Sequence, residues 1–455
     1  MILHINNNNM EQQTPLPEPL GFFERNRTII KGFLIGFLII LMLIPSAFIQ
    51  NLVNERALRQ QEVVQEISSK WATQQTIVGP VLMIPYKDYY KDNTGKVVEV
   101  SKNIYLLPEQ LRIDGTLLPE VRHRSLYEVT LYRSNTQLQG QFNYKAIQKL
   151  RIDPINIRWN EARLLMGIDD ARGLEEEVVI QWNGTQHTLE AGVPPNSLLE
   201  SGLSVPVIAD SQKHTSFSLN LKMKGSEHFY FTPVGKTTVV NLKSPWKDPA
   251  FDGQYLPMSS SVSDSGFTAA WKVLQVSRNY PQCWTESKVD LKSSSFGVRL
   301  IQPTDGYAKT DRSVKYSILF IALTFTVFFF LEILQKQQIH PLQYILVGFA
   351  LCIFYTLLLS ISEYTGFNLA YVIAASATVL LIGLYTWSIF KQGKIAFGFT
   401  VALGGLYTYI FILIQLQDYA LLFGSIGLFV IIAVLMYFSR KIDWYQVPKY
   451  QPAKQ

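Results

Sequence analysis

Hydrophobic positions fall into two regimes along this 455-residue chain. In the first they are nearly continuous. Six runs, residues 29–49, 317–334, 342–361, 369–390, 395–416 and 419–438, are overwhelmingly apolar and almost free of charge. A bilayer-crossing helix needs about twenty such residues, so the pattern predicts six membrane spans. In the second regime, residues 50–316, short apolar bursts alternate with polar residues. "NIYLLPEQLRIDGTL" and "LYEVTLYRSNTQLQGQFN" are examples, with Asp-Gly and Ser-Asn turns. Period-two alternation belongs to half-buried strands. The predicted fold class is a polytopic α-helical membrane protein of six spans, with a large β-rich domain, a sandwich, between spans one and two.

Local patterns refine this picture. Leu52, Leu58, Val63, Ile67 and Trp71 continue a helical spacing beyond the first span, so an uncleaved anchor helix should leave the membrane intact. "TIVGPVLMIPY" is too short to span as a helix and contains Pro80 and Pro85. It reads as a strand buried on both faces, entered by a Gly-Pro turn and ended at Pro85. "EEEVVIQWNGTQHTLE" places Asn183-Gly184 between two extended arms, a hairpin signal. "FSLNLKMKGSEHFYFTPVGKTTVVNLKS" reads as three further strands, and "WNEARLLMG" as a short helix capped by Asn160.

Charge sets the orientation. Arg25, Arg27, Lys31, Lys336, Lys391, Lys394, Arg440, Lys441, Lys449 and Lys454 all fall on one side of the six-span layout. The short loops of the other side, 362–368 and 417–418, contain neither Lys nor Arg. Basic residues in short loops mark the cytoplasm. Residues 1–28 and the basic tail 439–455 are therefore expected inside and the β-rich domain, 50–316, outside. The net charge of +6 is largely this topology signal, so no nucleic-acid partner follows from it. Cys283 lies in the soluble region and Cys352 in a span, so no disulfide framework is expected.

Chemical motifs are sparse. The chain lacks G-x-S-x-G, H-E-x-x-H and the phosphate-cradling G-x-x-x-x-G-K-[ST]. Its six histidines have no metal-ligand spacing, and no cofactor is implied. Asp169-Asp170 and "FDG" at 251–253 read as turns before cation sites. "GSEHF" at 225–229 puts Ser226 and His228 on one face of a strand, without the third partner of a triad. Polar residues at span ends are the remaining candidates: Glu332 and Glu363, with His340 opening "HPLQY". Ionisable groups inside a membrane region are functional candidates by default. A Glu332–His340 pair is the sharper reading. Interfacial solvation of Glu332 and helix-start punctuation by His340-Pro341 form the plainer one.

Several long segments carry a resemblance. They include "IPSAFIQNLVNERALRQQEVVQEI", "WATQQTIVGPVLMIPY", "GIDDARGL", "DPAFDGQYLP", "FGVRLIQPTDGY" and "HPLQYILVGFALCIFYTLLLSISEYTGFNLAY". Through them the sequence resembles the CreD family of bacterial inner membrane proteins, over nearly the whole chain after about residue 20. The resemblance implies an inner membrane location and a role in envelope integrity, with links to cell-wall stress and to tolerance of certain colicins. It brings no catalytic residue, cofactor or ligand. The expected function is non-enzymatic, with the lipid bilayer and periplasmic or cell-wall components as partners. Transport or lipid handling by the five C-terminal spans is the alternative, and an enzyme assembled by the fold a third. The sequence sets no oligomeric state.

Overall fold

The computed structural model describes residues 27–440 apart from 94, 196, 211–213, 286–288, 301–305, 336 and 417–418. Residues 1–26 and 441–455 of the two tails, Lys336 and the loop at 417–418 therefore lie outside the described residues. The chain forms two compact units, one of residues 1–56 and 305–455, the other of residues 57–304.

Seven helices are described: α1 (Arg27–Trp71), α2 (Gly306–Lys315), α3 (Ser317–Leu334), α4 (Pro341–Thr365), α5 (Phe367–Phe390), α6 (Gly393–Gln415) and α7 (Ala420–Ser439). All but the short α2 are long and apolar enough to cross a membrane, six in total. In α1 the predicted span and its continuation form one unbroken helix of 45 residues. Helices dominate here because hydrocarbon offers no partner for a backbone amide, so each must be satisfied within its own segment. Pro45 lies inside α1, and the next hydroxyl, Ser46 Oγ, donates to the Met42 carbonyl at 3.1 Å. Residues 306–315, assigned from sequence to the β-rich region, fold as α2 within the helical unit.

The second unit is built from strands β1 (Gln75–Lys91), β2 (Val97–Leu106), β3 (Gln110–Arg124), β4 (Tyr127–Phe142), β5 (Arg163–Ile168) and β6 (Val179–Trp182). These are followed by β7 (Thr185–Thr188), β8 (Glu190–Ala191), β9 (Leu203–Pro206), β10 (Thr215–Ser226), β11 (His228–Phe231) and β12 (Thr237–Ser244). The last are β13 (Pro249–Gly253), β14 (Ser259–Ser263), β15 (Gly266–Leu274), β16 (Cys283–Thr285) and β17 (Phe296–Leu300). One sheet has nine strands, in the order β13-β17-β11-β1-β5-β9-β8, with β2 beside β1 and β16 beside β2. The other has eight, in the order β14-β15-β12-β3-β4-β10-β6-β7. Their inner faces share one apolar core, in which Val81, Leu82 and Phe229 meet Leu138, Leu221 and Trp271. This is the predicted sandwich.

The stretch around Gly79-Pro80 is its central strand. Residues from Gln75 to Ile84 are all buried, because β1 is paired to β5, β2 and β11. Two details differ from the sequence reading. Gly79-Pro80 lies within the strand, at a register shift between Val78 and Val81, where a prolyl nitrogen has no hydrogen to donate. The strand also runs past Pro85 to Lys91, paired throughout with β2. The Asn183-Gly184 hairpin is present, closing on Trp182 and Thr185, with both turn residues at positive φ, 49° and 86°.

"WNEARLLMG" is not a helix. Trp159–Glu161 make a single 3-10 turn without a side-chain cap, and Arg163–Ile168 extend as β5, buried from Leu164 to Ile168. A short run of consecutive apolar residues suits a strand covered on both faces as well as it suits a helix, and pairing with β1 and β9 decides the outcome.

Where α1 ends, Asp170 ties the chain down. Its carboxylate accepts from Thr73 N at 3.0 Å and from Arg172 Nε and Nη2 at 2.8 Å each. Arg172 Nη1 donates to the Ser69 carbonyl at 2.9 Å. The Gln75 amide donates to the carbonyls of Asp170 and Lys224, at 2.9 and 3.2 Å. Trp71 lies under three cations, with Arg122 at 4.2 Å, Lys224 at 4.8 Å and Arg133 at 5.6 Å from its ring centre. "GIDDARGL" is thus a latch, joining the end of α1 and the start of β1 to the β-rich unit.

The Arg172 guanidinium, helped by the Thr73 amide, lowers the Asp170 carboxyl from the usual 3.8 to about 2. The folded state therefore prefers the carboxylate. Its stabilisation is complete above about pH 4 and is lost as the pH falls toward 2. Asp170→Asn should cost on the order of 1–2 kcal/mol at neutral pH, allowing for solvent around the exposed guanidinium. Unfolding of the full chain in detergent, followed by tryptophan fluorescence, should show this gap narrowing as the pH drops below about 4. A gap independent of pH would rule out the latch as the source.

Candidate functional site

Glu332 sits in the last turn of α3 and is 5% exposed. It is not solvated at an interface, and its partner is not His340. Its carboxylate is ion-paired with Lys31 of α1. It also accepts from the Ile339 amide at 3.0 Å and from Tyr344 Oη of α4 at 2.8 Å. Lys31 Nζ donates in addition to the Ile339 carbonyl, at 2.8 Å. Desolvating two charges is costly, and an ion pair in such a place persists only when its remaining donors and acceptors are satisfied. Here Ile339 of the loop between α3 and α4 and Tyr344 of α4 supply those partners. Three helices are joined by one polar knot.

His340 does the plainer of its two predicted jobs. It is exposed and caps α4: its Nδ1 accepts from Leu342 N at 3.2 Å, and its own amide donates to Gln343 Oε1 at 3.0 Å. Pro341 follows at the first helical position, where a missing N–H is harmless. Glu363 lies at the far end of α4, about 33 Å from Pro341 at helical rise. It accepts from Tyr307 Oη of α2 at 2.9 Å and lies 4.0 Å from Arg56 Nε. The three candidates therefore form no common site. Lys31 is the residue that sequence reading passed over. The available signal was that Lys31 and Glu332 stand at the same side and depth of two different spans.

Between these ends the helical unit is filled with aromatic rings. Phe320, Phe325, Phe328, Phe354 and Tyr355 are below 2% exposed, and Phe320 and Tyr407 pack with ring centres 4.5 Å apart. A cavity of about 430 Å³ lies among α3, α6 and α7, lined by apolar residues such as Leu323, Val327, Leu403, Val430 and Val434. Such a lining accommodates hydrocarbon and offers little to a hydrated ion.

In the β-rich unit, "GSEHF" does not run as one strand. Glu227 has φ 60°, and there the chain passes from β10 in the eight-stranded sheet to β11 in the nine-stranded one. Ser226 is fully buried, and its hydroxyl has no partner among the described residues. His228 stacks on Tyr230 at 4.1 Å between ring centres, and burial lowers its pKa. "FDG" is no turn either. It lies in β13, where Asp252 pairs with Arg299 and accepts from Tyr230. Asp169 pairs with Lys292 at 2.6 Å. Cys283 and Cys352 are free thiols, and burial pushes the Cys283 thiol up to about 12. Among the described residues no three His, Cys, Asp or Glu side chains converge as metal ligands.

Six membrane-length helices, with a β-sandwich inserted between the first and the second, define a polytopic membrane protein with one large extramembrane domain. The sequence profile of the family described as "Inner membrane protein CreD" matches residues 27–445. The Inner membrane protein CreD of Escherichia coli (strain K12) is 33% identical over 429 residues, which span 92% of this chain and 94% of that protein. The chain belongs to the CreD family of inner membrane proteins.

Removing Glu332 strands the part-buried ammonium of Lys31. Glu332→Ala should cost about 3–5 kcal/mol, read from thermal unfolding of the full chain in detergent. The double variant Lys31→Met, Glu332→Leu should recover most of that loss. Simple additivity of the two single losses would show that the residues do not act as a pair.

Proposed function

We propose that this protein is a non-enzymatic envelope protein of the inner membrane whose β-sandwich faces the periplasm and contacts envelope components there. The observation carrying the reading is the layout. A unit of residues 57–304 with its own core has membrane-length helices on both sides of it in the chain. The basic residues at the loops support the direction, since Lys391 lies between α5 and α6 and Lys394 in the first turn of α6, while the loop after α4 is free of Lys and Arg. In this arrangement 1–28 and 439–455 are cytoplasmic. Glu332, His340 and Glu363 then serve as helix-joining and capping residues at the two membrane faces.

Lipid handling by the helical unit is the second reading. The apolar cavity among α3, α6 and α7 supports it, and the aromatic filling of the remaining interior weighs against passage of a hydrated solute.

In living cells, photo-crosslinking amino acids at exposed positions of the β-rich unit, such as Tyr90 and Ile155, test the main reading. The expected result is adducts with envelope components from these positions and none from Gln392, in the loop before α6. Absence of adducts from every position in the β-rich unit would overturn it.

A further inference from the structure

Resting on the reading of an envelope-facing sandwich, we propose that the outer face of its eight-stranded sheet is a binding groove for a neutral, hydroxyl-rich glycan chain. The first eight residues of β3 alternate: Leu111 and Ile113 are buried in the core, while Gln110 and Arg112 face out. The register aligns the outward side chains in rows across the strands. One row runs Thr237, Gln110, Gln141 and Ser216. The next runs Val239, Arg112, Gln139, Ser218 and Gln181.

These rows do not lie on a flat surface. They line a concavity of about 720 Å³. Two further concavities, of about 530 and 310 Å³, continue along β3 and β12 toward β14 and share Thr116, Lys243, Ser261 and Thr268 with each other. The five strands β12, β3, β4, β10 and β6 extend about 19 Å across at normal strand spacing. That is long enough for several sugar rings end to end.

The chemistry of the wall selects the ligand class. Solvent-facing sheet surfaces usually carry many charges of both signs. Here, among the described residues, Arg112 is the one charged side chain lining the largest concavity. It is already held by Asp114, at 2.7 and 3.1 Å, and Asn241 donates to the same carboxylate at 2.7 Å. In this concavity no unpaired charge is left to call for an anionic polymer, while Lys243 lines the two smaller ones. Gln110, Gln139, Gln141 and Gln181 make no side-chain hydrogen bond to another described residue. Each amide offers two donors and an acceptor in one plane, the complement of neighbouring sugar hydroxyls, which both donate and accept. An extended peptide would instead add its backbone to a sheet edge, and a lipid chain would need an apolar wall.

Weak single contacts repeated along a groove give binding that grows with ligand length. The test uses the full chain in detergent, titrated with hexamers and dimers of β-1,4-linked glucose and of β-1,4-linked N-acetylglucosamine. At least one hexamer should bind more tightly than its dimer. The double variant Gln110→Ala, Gln139→Ala should weaken that hexamer by about tenfold without moving the thermal midpoint, since both side chains are exposed. No hexamer binding, equal binding by the variant, or binding of an extended peptide in place of the hexamers would overturn the assignment. Crosslinkers at Gln139 and at Tyr90, on the other sheet, separate this idea from the one beneath it. Adducts from Tyr90 alone leave the envelope contact standing and remove this face. Adducts from neither remove both.

Discussion

Hydrocarbon cannot hydrogen-bond a peptide group, and that constraint divides this molecule. Wherever the chain enters the bilayer it must satisfy its amides locally, so all six membrane-length segments are helices and their side chains are free to be almost wholly apolar. Outside, water can satisfy what the fold does not. There the same chain uses long antiparallel ladders with one face in a shared core and the other in solvent. The few polar groups in the helical unit follow from the same rule. Glu332 persists because Lys31, Tyr344 and the Ile339 amide surround it. His340 and Gln343 close the start of α4, where backbone groups would otherwise lack partners.

The passage from one regime to the other is built from covalent continuity and a compact polar cluster. Helix α1 carries the chain through its span and on to Trp71 without a break. Within four residues the chain becomes β1, the strand buried from Gln75 to Ile84. Asp170, Arg172 and Gln75 join the two through the Ser69 carbonyl, the Thr73 amide and the Lys224 carbonyl. The segments that carry the family resemblance, "WATQQTIVGPVLMIPY" and "GIDDARGL", are the two halves of this junction. Their role is architectural, and the surface offered to a ligand lies on the other sheet.

Much of this was legible in the residues. Long apolar runs have one outcome in a membrane, so the six helices could be placed closely, and the spacing Leu52, Leu58, Val63, Ile67 and Trp71 extended the first correctly. Asn183-Gly184 marked its hairpin because both positions require positive φ. What escaped depended on neighbours distant in sequence. Whether "RLLMGI" is helix or strand is decided by β1 and β9, which flank it. The break at Glu227 exists because successive strands belong to different sheets. The Lys31–Glu332 pair joins residues 301 positions apart, and taken alone Lys31 counts as an orientation charge and Glu332 as an interfacial one. The glutamine rows emerged only once the register of five strands aligned side chains that look unremarkable along the chain.

The proposed layout, a sandwich outside the cytoplasm between the first two spans, is open to a direct check by thiol accessibility. Cys283 is half-buried with a strongly raised pKa and Cys352 is buried in a span, so a new exposed thiol dominates labelling once Cys283→Ser is introduced. In cells with a permeabilised outer membrane and an intact inner one, Tyr90→Cys should react with a membrane-impermeant maleimide. Gln392→Cys should react only after the inner membrane is opened. Labelling of Gln392→Cys in intact cells together with protection of Tyr90→Cys would contradict the account.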